Sequence, residues 1–170
     1  MSGSKSCLKT GDRIVVDTHV YKWAAIHELK ESRGHKAWAA MQFILDLCPI
    51  VHIDPRQKNE IVTMFGRYVG CRLEQTAFFP RLDHAGKARK VVLSKSTSKP
   101  LDARTKKFLQ AIESSSDHHL FETARALDRV LITDDGRLLD NRVKLEQFTG
   151  VTVLGYDDIL PDSGEVEQAE

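Results

Sequence analysis

What the sequence lacks narrows its class first. No apolar run approaches the ~18 residues of a membrane span, so no membrane partner is expected. The opening stretch MSGSKSCLKTGDR carries no apolar core of a secretory signal. Cysteines number only three, Cys7, Cys48 and Cys71, widely spaced and without a CxxC pair. That argues against a disulfide framework and a cysteine zinc cage, and it makes a reducing cytoplasm the expected compartment. There is no GxGxxG and no Walker loop, so dinucleotide and P-loop nucleotide binding have no support. Internal repeats and low-complexity tracts are absent as well.

What remains is the composition of an ordinary globular protein, 41% hydrophobic and 29% charged over 170 residues. A chain of this size is one domain, which hides about two-thirds of its unfolded surface. The net charge of +1 conceals an asymmetry. Arg81–Lys107 carries nine Lys/Arg against two acids, whereas Asp157–Glu170 carries six acids and no Lys or Arg. A basic segment of this kind suits a polyanion, although a solvated face would have the same composition.

Hydrophobic patterning divides the chain into a lead over 1–12, a folded domain over 13–160 and an acidic tail over 161–170. Short β-branched runs, Arg13–Val16, Ile50–Ile53, Val130–Ile132 and Val151–Leu154, read as buried parallel strands. Helical spacing predicts helices over 20–29, 35–47, 101–113, 117–127 and 137–148, with a break at Glu31–Gly34. A further helix opens at Asp54-Pro55-Arg56-Gln57: Asp54 caps, Pro55 takes the first helical position and Gln57 reaches back as in a capping box. Thr76–Lys99 has no readable pattern. The alternation predicts an α/β/α sandwich around a mostly parallel sheet of four to five strands.

Asp17 follows the first strand, and Asp134-Asp135 follows Val130–Thr133. Ligands of open parallel sheets bind at the carboxyl ends of strands, at a topological switch point. An Asp there is also common in ordinary strand-to-helix turns. Glu60 and Asp117 stand in first helical turns, where, each taken alone, the helix dipole or a capping role explains them better than a functional one does.

Order and context add a resemblance. RIVVDTHVYKW resembles the opening of PIN-domain nucleases: an apolar strand, an Asp and a hydroxyl residue, here Thr18. RQKNEIVTMF resembles the helix bearing that family's second acid, at Glu60. SSSDHHLFETARALDRVLITDDGRLL resembles its later signature, with Asp117 opening a helix and Thr133-Asp134-Asp135 ending a strand. VTVLGYDDIL resembles its closing strand. The likeness spans roughly 13–160 and extends to VapC-like and archaeal-type PIN ribonucleases. It implies that Asp17, Glu60, Asp117 and Asp135 are catalytic, metal-binding carboxylates, with Thr18 and Thr133 orienting them. Asp134 reads as a capping residue. His118, where relatives often have a small residue, is a departure that bears on local packing.

Four close carboxylates raise one another's pKa values, and a divalent cation resolves the repulsion. Hard oxygen ligands select Mg²⁺ or Mn²⁺. The implied activity is endoribonuclease hydrolysis of single-stranded or structured RNA, leaving a 3′-hydroxyl and a 5′-phosphate. Lys87, Arg89, Lys90 and Lys95 are the candidate substrate contacts, and Phe78, Phe79 and Tyr68 could stack on bases, although aromatics at this spacing are more often core. Adjacent helical residues point about 100° apart, so His118 and His119 are ill placed to grip one ion. His19, two residues after Asp17, reads more readily as a surface residue than as a substrate contact. A haloacid-dehalogenase-like phosphatase wants a second Asp where His19 stands. A receiver domain wants its acidic pair after the first strand. The alternative that stays open is a PIN-like module that binds RNA or protein without cleaving. Within the nuclease reading, a toxin with an antitoxin partner competes with a stand-alone RNA-processing enzyme, and the family's habit of homodimerisation is an expectation.

Overall fold

Ile14, Val15 and Val16 are fully buried, which a strand achieves only when both faces of its sheet are covered. The computed structural model describes residues 8–25, 32–47, 49–68, 91–93, 99–112 and 118–160. In chain order these form β1 (Arg13–Val16), α1 (Thr18–Ala25), α2 (Ser32–Leu47), β2 (Ile50–Ile53), α3 (Pro55–Tyr68), β3 (Val91–Leu93), α4 (Ala103–Ile112), α5 (His118–Ala126), β4 (Val130–Ile132), α6 (Gly136–Asp140), α7 (Arg142–Thr149), β5 (Thr152–Leu154) and α8 (Tyr156–Ile159).

The strands make one sheet in the order β3-β2-β1-β4-β5, and every pairing is parallel. Side chains alternate across it. Ile14, Val16, Ile132 and Leu154 enter a core shared with Tyr21, Met41 and Ile44 of α1 and α2. Val15, Leu131 and Val153 enter a second core shared with Leu109, Phe121 and Leu145 of α4, α5 and α7. The result is the three-layer α/β/α sandwich expected from the sequence. Each fully buried Val, Ile or Leu contributes about 1.5–3 kcal/mol as an upper estimate, so the two cores dominate stability.

Several boundaries differ from the sequence reading, for physical reasons. The packed chain starts inside the expected lead: Leu8 is buried, and Thr10 Oγ1 donates to the Leu47 carbonyl at 2.9 Å. Gly34 lies within α2 instead of ending a helix, and it is buried there. The single helix expected over 137–148 is two, broken at Asn141, whose Nδ2 donates to the Arg137 carbonyl at 2.8 Å. Short polar side chains compete with the helix ladder in this way. Strand β3 arises within the stretch that had no readable pattern, and α8 follows the strand read as the last element.

Going out from β1 to β2 and β3, then returning to place β4 on the other side of β1, puts a topological switch point between β1 and β4. The chain leaves β1 into α1 on one face and leaves β4 into α6 on the other, which opens a crevice at their carboxyl ends. Among the described residues no helix is long and apolar enough to cross a membrane.

Candidate active site at the switch point

Asp17 is the first residue after β1, and it is 2% exposed. Its backbone N–H continues the ladder to the Ile132 carbonyl at 2.8 Å, so the carboxylate is fixed by the sheet itself. Its Oδ2 accepts the Thr133 hydroxyl at 2.7 Å, and its Oδ1 accepts the His19 backbone N–H at 3.0 Å. Thr133 is fully buried and held in turn: its N–H donates to the Leu154 carbonyl at 3.0 Å, and its Oγ1 accepts from Asp135 N–H at 3.0 Å. One hydroxyl therefore links the acids that end β1 and β4.

Glu60 arrives from α3. Its Oε2 accepts the Thr18 hydroxyl at 2.9 Å, which places it beside the residue that follows Asp17. Thr18 thus orients Glu60, while Thr133 orients Asp17. Helix α3 is positioned by its start. Asp54 Oδ1 caps it by accepting Arg56 N–H at 2.7 Å and Gln57 N–H at 3.0 Å, as the sequence predicts. Gln57 does something else than the expected capping-box bond. It is fully buried, and its Nε2 donates to the carbonyl of Val16, the last residue of β1. That contact pins α3, and Glu60 one turn further on, to the strand end that carries Asp17.

His119 of α5 is buried between two acids, its Nε2 3.7 Å from Asp54 Oδ2 and 3.7 Å from Glu60 Oε1. Thr123, one turn along α5, donates to Asp54 Oδ2 at 3.3 Å. The sequence offered no reason to place His119 or Gln57 at the site. Their signal was only that polar residues occupy core positions of helices otherwise apolar on that face.

Asp135 has two duties. It is the N-cap of α6, with Oδ1 accepting Arg137 N–H at 2.8 Å, and its Oδ2 lies 3.2 Å from Arg137 Nη2. The capping role expected of Asp134 thus belongs to Asp135, and Asp134 lines the cleft instead. Burial opposes ionisation of Asp135, but the Arg137 hydrogen bonds and charge outweigh it and hold the carboxyl below the usual range. Below Asp17, burial first and the Asp17 charge second push the Tyr21 hydroxyl well up, so that ring stays neutral.

No protein-family model and no curated protein matches the chain. The site therefore stands on its own geometry. Of the four acids expected from the sequence, Asp17 and Asp135 stand at the ends of β1 and β4, linked through Thr133, and Glu60 stands against Thr18, the residue after Asp17; Asp117 lies outside the described residues. So do Lys87, Arg89, Lys90, Lys95, Phe78, Phe79 and the Tyr68 side chain. Among the described residues no three His, Cys, Asp or Glu side chains converge closely enough to hold a metal ion. All three acids are turned to protein partners, Asp17 to Thr133 and the His19 N–H, Glu60 to Thr18 and Asp135 to Arg137.

At the end of β4 lies a cleft of about 620 Å³, with Asp134, Asp135, Arg137 and Asp140 on one side and His19, Lys22 and Trp23 of α1 on the other; Asp135 lines it, whereas Asp17 and Glu60 do not.

Proposed function

We propose that this chain is a PIN-type endoribonuclease that hydrolyses phosphodiester bonds of RNA with Mg²⁺ or Mn²⁺ at the switch-point cleft. The observation that carries this reading is the linkage of Asp17 to Asp135 through the Thr133 hydroxyl, with Glu60 anchored on the neighbouring Thr18. Asp17 and Asp135 end neighbouring strands, where parallel α/β sheets place their ligands, and Glu60 is tied to the residue after Asp17. Their donor set is all hard oxygen, which suits Mg²⁺ or Mn²⁺.

In this reading Asp17 is the fixed ligand, held from behind by Thr133 and by the His19 N–H. Asp135 and Glu60 would be further ligands of such an ion, and each is held by a protein hydrogen bond, Asp135 from Arg137 and Glu60 from Thr18. Asp117 is the fourth expected ligand. A bound divalent ion supplies an activated water and charge neutralisation at the scissile phosphate. The protein's part is to orient the acids through Thr133 and Thr18 and to present the cleft to the strand.

Manganese-dependent cleavage of a labelled single-stranded RNA, with an EDTA control, tests the reading. Asp17→Asn should lower the cleavage rate by at least about 100-fold, since outer-shell partners of metal ligands alone cost 10–100-fold. Undiminished cleavage by that variant overturns the assignment. A second reading is favoured by the pairing of Asp135 with Arg137 and by the lack of a preformed cage among the described residues. In it the domain binds RNA or a protein without cutting, and RNA held in the presence of Mn²⁺ yet never cleaved identifies it. Within the nuclease reading, co-purification of a small antitoxin-like protein separates a toxin role from stand-alone RNA processing.

A further inference from the structure

Glu60 stands on a long side chain that is 38% exposed. One anchor does not fix such a carboxylate. The Thr18 hydroxyl holds Oε2 at 2.9 Å, and turning about that bond would still swing Oε1. The second oxygen faces His119, whose Nε2 lies 3.7 Å away, within ion-pair reach. The imidazole is buried, and its Nε2 is also 3.7 Å from Asp54 Oδ2. Asp54 is fixed in turn: Oδ1 caps α3, and Oδ2 accepts the Thr123 hydroxyl at 3.3 Å. One ring of α5 therefore stands between the cap of α3 and Glu60 of the same helix. Nearby carboxylates repel each other. An N–H on Nε2 attracts both, in the neutral Nε2–H tautomer as in the imidazolium. An apolar side chain in its place would leave both acids against a wall without a donor, which is costly where they are buried.

We propose that His119 is a positioning residue: it fixes the second oxygen of Glu60 and, with Thr18, sets the orientation in which that carboxylate is presented beside the end of β1. The same ring ties α3 to α5, the helix that begins directly after Asp117. It thereby governs the spacing between the elements that bear two of the expected ligands. The sequence spacing that argued against His119 as a metal ligand agrees with this role, which needs no contact with an ion. The inference rests on the nuclease reading for what Glu60 binds, but the contact between His119 and Glu60 needs neither metal nor RNA.

A double-variant cycle on the full chain in EDTA tests the contact. His119→Leu and Glu60→Gln each remove one side of it. Together they should lower Tm by less than the sum of the two single losses, because residues in contact are not additive. Positioning is read separately, by titrating Mn²⁺ and following the electron paramagnetic resonance signal of the free ion. His119→Leu should weaken Mn²⁺ binding about 10- to 100-fold, the usual cost of losing a partner behind a metal ligand. His119→Gln, whose amide N–H reaches the Nε2 position, should recover most of the loss. Asp128→Asn, destabilised at the other end of β1, should bind Mn²⁺ like wild type, which separates positioning from stability. Far-UV circular dichroism verifies that each variant is folded. If His119→Leu does not fold, His119→Asn replaces it in both measurements, since its amide is too short to reach Glu60. The proposal is overturned if the Tm losses are additive, if the folded Leu or Asn variant binds Mn²⁺ like wild type, or if Gln is as weak as either. Mn²⁺-dependent cleavage in which Mn²⁺ affinity ignores position 119 sinks this proposal alone. A non-additive cycle in a wild type that binds no Mn²⁺ sinks the nuclease reading and supports His119 as the anchor of Glu60.

Discussion

Replacing Thr133 by Val isolates the hydroxyl that joins the two strand-end acids. The side chains are nearly the same shape, so the core around this fully buried position keeps its volume. What is lost is a 2.7 Å bond donated to Asp17 Oδ2 and a 3.0 Å bond accepted from Asp135 N–H. Hydrogen bonds to charged groups contribute about 1.5–3 kcal/mol, and an orphaned buried donor adds about 1 kcal/mol or more. Asp17 is 2% exposed, so water replaces little of the first loss. Asp135 is more open, with 23% of its side chain exposed, so water recovers part of the second. The expected destabilisation is about 3 kcal/mol. At roughly 2–4 °C per kcal/mol for a domain of this size, Tm falls by about 6–12 °C. Thr133→Ser keeps the hydroxyl and loses one methyl group, which costs about 1 kcal/mol. Urea unfolding of wild type, Val and Ser variants measures the series, with an unchanged m-value as the check that the denatured state is the same. A Val variant as stable as the Ser variant refutes the reasoning, because it would mean that the hydroxyl carries no net load between Asp17 and Asp135.

Two further outcomes follow from geometry away from the crevice. Gly150 closes α7 at φ 69°, and a Cβ built there meets only the Arg129 guanidinium at 3.6 Å. Gly150→Ala should therefore cost about 1–2 kcal/mol from the left-handed backbone alone, measured by thermal unfolding, and a neutral result shows that the turn relaxes. Arg13 and Asp128 join β1 to the turn before β4 through a 2.8 Å ion pair. The Arg13 hydrogen bonds hold the Asp128 carboxyl below its usual value. A depressed folded pKa contributes stability above the unfolded value of about 3.9 and loses it as pH falls through the folded value. The stability gap between wild type and Asp128→Asn should be full at pH above about 5 and close toward pH 2; a gap that widens with acid contradicts the pairing.

The sequence by itself determined the fold class and the strand-end acids, because both are local. Buried parallel strands are written as short β-branched runs, and Asp17 and Thr133-Asp135 follow theirs immediately. The Asp54 cap was legible for the same reason: its partners lie two and three residues away. The strand order, and with it the crevice between β1 and β4, came only from the tertiary structure, since strand adjacency depends on which faces bury each other across the whole chain. Position 57 makes the contrast concrete. A local rule predicted that Gln57 would reach back to its own helix start, yet its partner is the Val16 carbonyl, 41 residues earlier. Glu60 and Thr18, 42 residues apart, meet for the same reason. So does the duty of Asp135, a cap as much as a candidate ligand, and so does the turning of Lys22 and Trp23 toward the acids. Sequence spacing could place these residues on a face, but only the packed sheet decided what that face looks at.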